Sequence, residues 1–133
     1  MKKSLFIHFG AIFNVILLNA IFAFLFSSCG ANSVGSISLE ELKKNLDNDS
    51  YVIIDTRADE FYNGFKEMDG KRGGHIKGAI QFSPAWLDYI EDDKFENYAR
   101  GKGILKNKTL IVYGSSNDDV NKVSIEFATR GYK

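Results

Sequence analysis

The stretch Thr109 to Gly131, TLIVYGSSNDDVNKVSIEFATRG, decides how this chain folds. Thr109 to Tyr113 is a short apolar run rich in β-branched residues, which predicts a buried strand, and Gly114 to Asp119 consists of loop formers. A helix should follow. Val120, Val123, Phe127 and Ala128 recur at helical spacing on one face, with Asp119 placed as N-cap and Gly131 as the C-terminal stop. A loop between the end of a sheet strand and a helix N-terminus is where α/β proteins hold anions and nucleophiles, because free backbone N–H groups and the helix dipole converge there. The loop residues Gly114, Ser115, Ser116, Asn117, Asp118 and Asp119 are therefore the candidate anion-binding positions.

Upstream the same alternation repeats. Ser38-Leu39-Glu40-Glu41 is a capping box, with Leu39, Leu42 and Leu46 forming an apolar stripe on a short first helix. Asn48 to Ser50 break it, and Tyr51 to Asp55, YVIID, reads as a strand covered on both faces. Ala58 to Phe65 predicts one or two helical turns with Phe61 and Phe65 inward, and a charged, glycine-rich connection runs from Lys66 to Gly74. His75 to Ile80 turns into another short strand ending near Phe82. Ser83-Pro84 starts a helical segment through Trp86, Leu87 and Ile90, and the polar run Glu91 to Lys108 predicts a surface helix or loop. Strands alternating with helices imply an α/β fold with a parallel sheet flanked by helices on both faces.

Composition sets outer bounds. The chain has 133 residues, 17 basic and 17 acidic, so zero net charge gives no electrostatic case for nucleic acid. One proline, 12 glycines and 14% aromatic content describe a packed domain rather than a linker. Two histidines without clustered cysteine or carboxylate neighbours make a poor metal site, and no cofactor motif is present. The one cysteine, Cys29, has no intramolecular disulfide partner.

Residues 1–36 read as an address. Lys2 and Lys3 precede an apolar run of about 22 residues, Leu5 to Phe26, followed by Ser27-Ser28-Cys29-Gly30. Small residues before a cysteine at the end of an apolar segment resemble the lipobox of bacterial lipoproteins, which departs here only in carrying Phe26 where an aliphatic residue is usual. That resemblance implies a signal peptide over 1–28, a Cys29 acylated with fatty chains such as palmitate, and a flexible tether over 29–36 leading to a domain over 37–133. An uncleaved anchor helix and a soluble secreted form are the alternatives. All three place the domain outside the cytoplasm, because the two lysines hold the N-terminus inside, and the lipid-anchored form belongs to the bacterial cell envelope. Acyl chains contribute about 0.8 kcal/mol per buried CH2, so several together hold stably to a membrane.

The order YVIIDTR, EF, GGHIKGAI, TLIVYG and a helix ending in RGY resembles the rhodanese-like domain from about Ser38 to Lys133. The family signatures are Asp-x-Arg, here Asp55-Thr56-Arg57, and Gly-His-Ile-x-Gly-Ala, here Gly74 to Ala79. The resemblance implies structural roles for Asp55, Arg57, Gly74, His75 and Gly78. General base or metal ligand stays open for His75, and a substrate clamp for Arg57. It also implies that the chain stops at Lys133 before the further strand and Gly-Gly loop of the family, leaving its C-terminal part incomplete.

An active rhodanese carries a nucleophilic cysteine directly after the strand that ends in this loop. The aligned residue here is Gly114, and neither Ser115 nor Ser116 can take its place in accepting sulfane sulfur. Asp118 and Asp119 stand where a basic residue is usual and would repel an anionic substrate. No catalytic residue is therefore assigned. Three readings follow: a membrane-anchored, non-catalytic binding or structural module with an envelope-protein partner; the inactive front of a longer thiosulfate or mercaptopyruvate sulfurtransferase with a downstream rhodanese domain; or an anion-binding module akin to phosphatases related to this fold.

Overall fold

The strand register of the computed structural model, which describes residues 34–66 and 73–133, organises everything else. The element order is α1 (Leu39–Lys44), β1 (Tyr51–Asp55), α2 (Asp59–Tyr62), β2 (Ile80–Gln81), two 3-10 segments (Pro84–Asp88 and Asp92–Lys94), α3 (Phe95–Gly101), β3 (Thr109–Tyr113) and α4 (Asn117–Thr129). The three strands form one parallel sheet in the order β2-β1-β3, so the alternation of strands and helices did specify the fold class. The apolar run over residues 5–26 and the Cys29 motif lie outside the described residues. Among the described residues no helix is long and apolar enough to cross a membrane.

Side chains alternate across the sheet, and the two faces differ. Val52 and Ile54 point to the larger core, where Phe82, Phe95, Ala99, Ile104, Val123, Phe127 and Tyr132 are buried with them. Phe127 is its hub: its ring meets those of Phe82, Phe95 and Tyr132 edge-on at 4.9–5.2 Å, a geometry that adds about 0.5–1.5 kcal/mol per pair beyond burial. Ile53 and Ile111 point to the opposite face and pack with Ala79, covered by Leu42 of α1 and by Ile76 and Tyr113.

Several sequence expectations change at this level. In α1 the Ser38 hydroxyl accepts the Glu41 N–H at 3.1 Å, as expected of a cap, but of the leucine stripe only Leu42 reaches the core, and Leu39 stays 59% exposed. A helix of six residues is too short to turn three leucines onto a sheet. Phe65 points outward at 70% exposure because the chain has left α2 three residues earlier. The polar run Glu91 to Lys108 conceals three core residues: Phe95 and Ala99, one helical turn apart on α3, and Ile104. β3 lies at the sheet edge, so Thr109 is exposed and only Ile111 of its five residues is buried. The helix after it starts three residues earlier than expected: Ser116, not Asp119, is the N-cap, and its hydroxyl accepts the Asp119 N–H at 3.3 Å. Gly131 follows the C-cap with φ +83°, a left-handed conformation that stops the helix.

Phe127→Ala should cost about 3–5 kcal/mol through lost transfer energy and the cavity left among three rings. Leu39→Ala should fall within about 0.5 kcal/mol of the parent. Urea denaturation of both variants checks the pair, and equal losses would mean that the N-terminal stripe is packed after all.

Candidate functional site

Parallel strands bring their C-terminal ends to one edge of the sheet, and the sequence motifs meet there. Register pairs Asp55 with Tyr113 across β1 and β3, side by side on the same face. The Asp55 carboxylate is wholly buried and takes four donors. Arg57 supplies its backbone N–H to Oδ1 at 3.0 Å and its Nε to Oδ1 at 3.0 Å and Nη2 to Oδ2 at 2.7 Å, a two-pronged guanidinium grip. The Tyr113 hydroxyl donates to Oδ2 at 2.7 Å. That hydroxyl accepts the Ile76 N–H at 3.0 Å, and Arg57 Nη2 donates to the Gly74 carbonyl at 2.7 Å. One carboxylate thus joins β1, β3 and the Gly74–Gly78 turn.

The turn itself needs its glycines. Gly74 and Gly78 have φ of +86° and +81°, where a side chain would be strained. Between them His75 is exposed; its ring stacks on Tyr62 at 3.9 Å with an interplanar angle of 6°, and Nδ1 lies 2.9 Å from the Tyr62 carbonyl. The Tyr62 hydroxyl in turn donates to the Ala79 carbonyl at 2.8 Å. His75 therefore closes the turn onto α2 rather than joining the Asp55 group.

Charge and burial fix the protonation states. Burial alone would raise the Asp55 pKa, but the hydrogen bonds from Arg57 and Tyr113 outweigh it and hold the carboxyl below its ordinary value. Burial, then the bond to Asp55, push the Tyr113 hydroxyl up to about 12. Arg57 is raised by its bond to Asp55. At neutral pH the group is a carboxylate, a guanidinium and a neutral phenol, each already engaged, an arrangement that holds a loop in place.

The loop after β3 is short. Thr56, 2% exposed, donates its backbone N–H to the Tyr113 carbonyl at 2.9 Å, and its hydroxyl donates to the same oxygen at 3.3 Å. Gly114 lies against this side chain, Ser116 caps α4, and Asn117, Asp118 and Asp119 form the first turn of that helix. The structure thus assembles Asp55, Arg57 and Gly74, and sets Gly114 to Asp119 at the same sheet edge. Sequence reading overlooked Tyr113, Thr56 and Tyr62. A tyrosine closing a strand whose parallel neighbour ends in aspartate was the available signal for Tyr113, but only register makes the two neighbours.

Comparison with known proteins agrees with this geometry. The model of the Rhodanese-like domain family matches residues 38–133. Thiosulfate sulfurtransferase YnjE of Escherichia coli (strain K12) is 25% identical over 92 residues, covering 69% of this chain and 20% of that protein. Wild-type EanB superposes with a TM-score of 0.67 at 30% identity, covering 75% of this chain and 22% of that one. An EanB variant with ergothioneine covalently linked to a persulfide cysteine gives 0.68 at 30% identity, covering 76% and 23%. The chain spans about a fifth to a quarter of the length of these relatives.

The network predicts how stability follows pH. Because the folded Asp55 pKa lies below that of the unfolded chain, its contribution is complete above about pH 4 and is lost as pH falls through the folded value. The raised Tyr113 pKa works in reverse: its contribution is complete below about pH 10 and fades as pH climbs toward about 12. Tyr113→Phe, which strips Asp55 and the Ile76 N–H of a partner, should cost about 1–3 kcal/mol at pH 7 and make the alkaline limb shallower. Urea midpoints from pH 3 to 11 test both statements, and an unchanged alkaline limb in the variant would disprove the assignment.

Proposed function

This chain belongs to the rhodanese-like domain family, and we propose that it is a member without a nucleophile, acting as a non-catalytic binding or structural module held at a membrane. Gly114 carries the proposal. It stands directly after β3, at the loop position where the family's cysteine would be, and a Cβ built on it would come within 2.1 Å of the Thr56 hydroxyl oxygen. A glycine offers no sulfur acceptor, and the carboxylates of Asp118 and Asp119 at the start of α4 oppose an anionic sulfur donor. The neighbouring Asp55, Arg57 and Tyr113 are consumed in mutual hydrogen bonds, which suits a scaffold for the loop.

Anchoring rests on the sequence of residues 1–36 alone: an apolar run ending at Ser27-Ser28-Cys29, with Cys29 as the acylated residue and the domain facing away from the cytoplasm. The partner of such a module is another envelope protein. A second reading is favoured by length: since the match covers only 20–22% of these relatives, this domain fits the front of a larger sulfurtransferase whose catalytic cysteine sits on a further rhodanese domain.

Two measurements separate these. Purified protein given thiosulfate and cyanide should release no thiocyanate above the uncatalysed rate; turnover abolished by changing one of its own residues would end the non-catalytic reading. The intact mass of the native protein extracted from membranes with detergent should equal residues 29–133 plus acyl chains. A mass larger by a whole domain would instead establish the longer sulfurtransferase.

A further inference from the structure

Gly114 differs from five other glycines of this domain. Gly64, Gly74, Gly78, Gly103 and Gly131 have positive φ, and Gly114 is not among them. Its backbone conformation would accept a side chain; its surroundings would not. A Cβ there would lie 2.1 Å from Thr56 Oγ1, 3.4 Å from Thr56 Cβ and 3.3 Å from Val120 Cγ2. Thr56 cannot readily give way, because it is 2% exposed and its hydroxyl donates to the Tyr113 carbonyl beneath the loop. Rotation about its Cα–Cβ bond would break that hydrogen bond in a site closed to water.

We propose that Thr56 is the residue that determines what the β3–α4 loop can hold: its hydroxyl fills the space a side chain at 114 needs, so that glycine at 114 and threonine at 56 form one coupled pair. The proposal rests on the reading that the chain works without a nucleophile at 114, and deepens it. Absence of the cysteine is then only half of the difference from an active site. The floor of the loop is also occupied, and a nucleophile restored at 114 alone would have no room.

The pair makes a sign-reversal test possible. At a glycine whose backbone an alanine can adopt, Gly→Ala normally stabilises by restricting the unfolded chain. Forcing a methyl group into a filled site does the opposite. Gly114→Ala should therefore lower the melting temperature by several degrees beside Thr56, yet raise it when introduced into Thr56→Ala. In Thr56→Val, which keeps the bulk and loses the hydroxyl, Gly114→Ala should remain destabilising. A second readout uses Gly114→Cys: its thiol should react with a disulfide reagent at least tenfold faster in the Thr56→Ala background than beside Thr56.

Melting curves of the full chain decide the matter. If Gly114→Ala is neutral or stabilising beside Thr56, or if Thr56→Val relieves it as well as Thr56→Ala, the coupling is wrong. Should Gly114→Ala fail to fold, recovery of folding by Thr56→Ala supports the pair. Failure of the double variant while Thr56→Ala folds overturns it. Catalysis by the parent protein would refute the non-catalytic reading and leave these stability comparisons untouched, so the two failures are distinguishable.

Discussion

A carboxylate with no exposed surface, at the end of a central strand, is the constraint on which the rest of this domain depends. Removing an ion from water costs several kcal/mol even after relaxation, and that cost is offset only where donors saturate it. Asp55 is saturated by three donors of Arg57 and one of Tyr113, and each brings a different piece of chain with it. Arg57 reaches on to the Gly74 carbonyl, Tyr113 holds the Ile76 N–H, and the Gly74–Gly78 turn is thereby held at its first residue and its middle. An ion pair of this kind adds little net stability compared with an apolar replacement, yet removing one of the two charges, Asp55 or Arg57, costs about 3–5 kcal/mol. Its consequence is positional: it sets where the loop after β3 begins.

The two faces of the sheet divide the remaining work. On one, the rings of Phe82, Phe95 and Phe127 form the mass of the core and bind α3 and α4 to the strands. On the other, Ile53, Ala79 and Ile111 make a thinner layer that runs directly into the Asp55 group, since Tyr113 belongs to both. The apolar layer excludes water from the carboxylate, and the carboxylate orders the turn that covers the apolar layer. Arg130 performs a comparable service at the far end of α4, where it donates to Glu126 and Asp92 and lies over the Phe95 ring at 4.1 Å. Both ends of the long helix are thus fixed, one by the Ser116 cap and one by this clamp.

Much of this was legible in the chain. YVIID and TLIVY are continuous apolar runs that local chemistry makes strands, Ser38 and Ser83 are cap residues whose hydroxyls do cap, and Val123 and Phe127 declare the inner face of α4 by spacing. The misreadings share a cause. Phe95, Ala99 and Ile104 sit among charges that outnumber them, so average polarity hid a buried helix face. Leu39 and Phe65 are apolar residues that the described part of the fold leaves mostly exposed, and periodicity does not report where partners end.

The sequence by itself determined the elements, their parallel arrangement and the glycine at 114, because these follow from spacing, propensity and the identity of one residue. Tertiary structure alone decided that Tyr113 completes the Asp55 group and that Thr56 fills the space beside Gly114. Both contacts join residues 58 positions apart, and only strand register sets such distances. A sequence shows that a side chain is missing; packing shows whether the room for it remains.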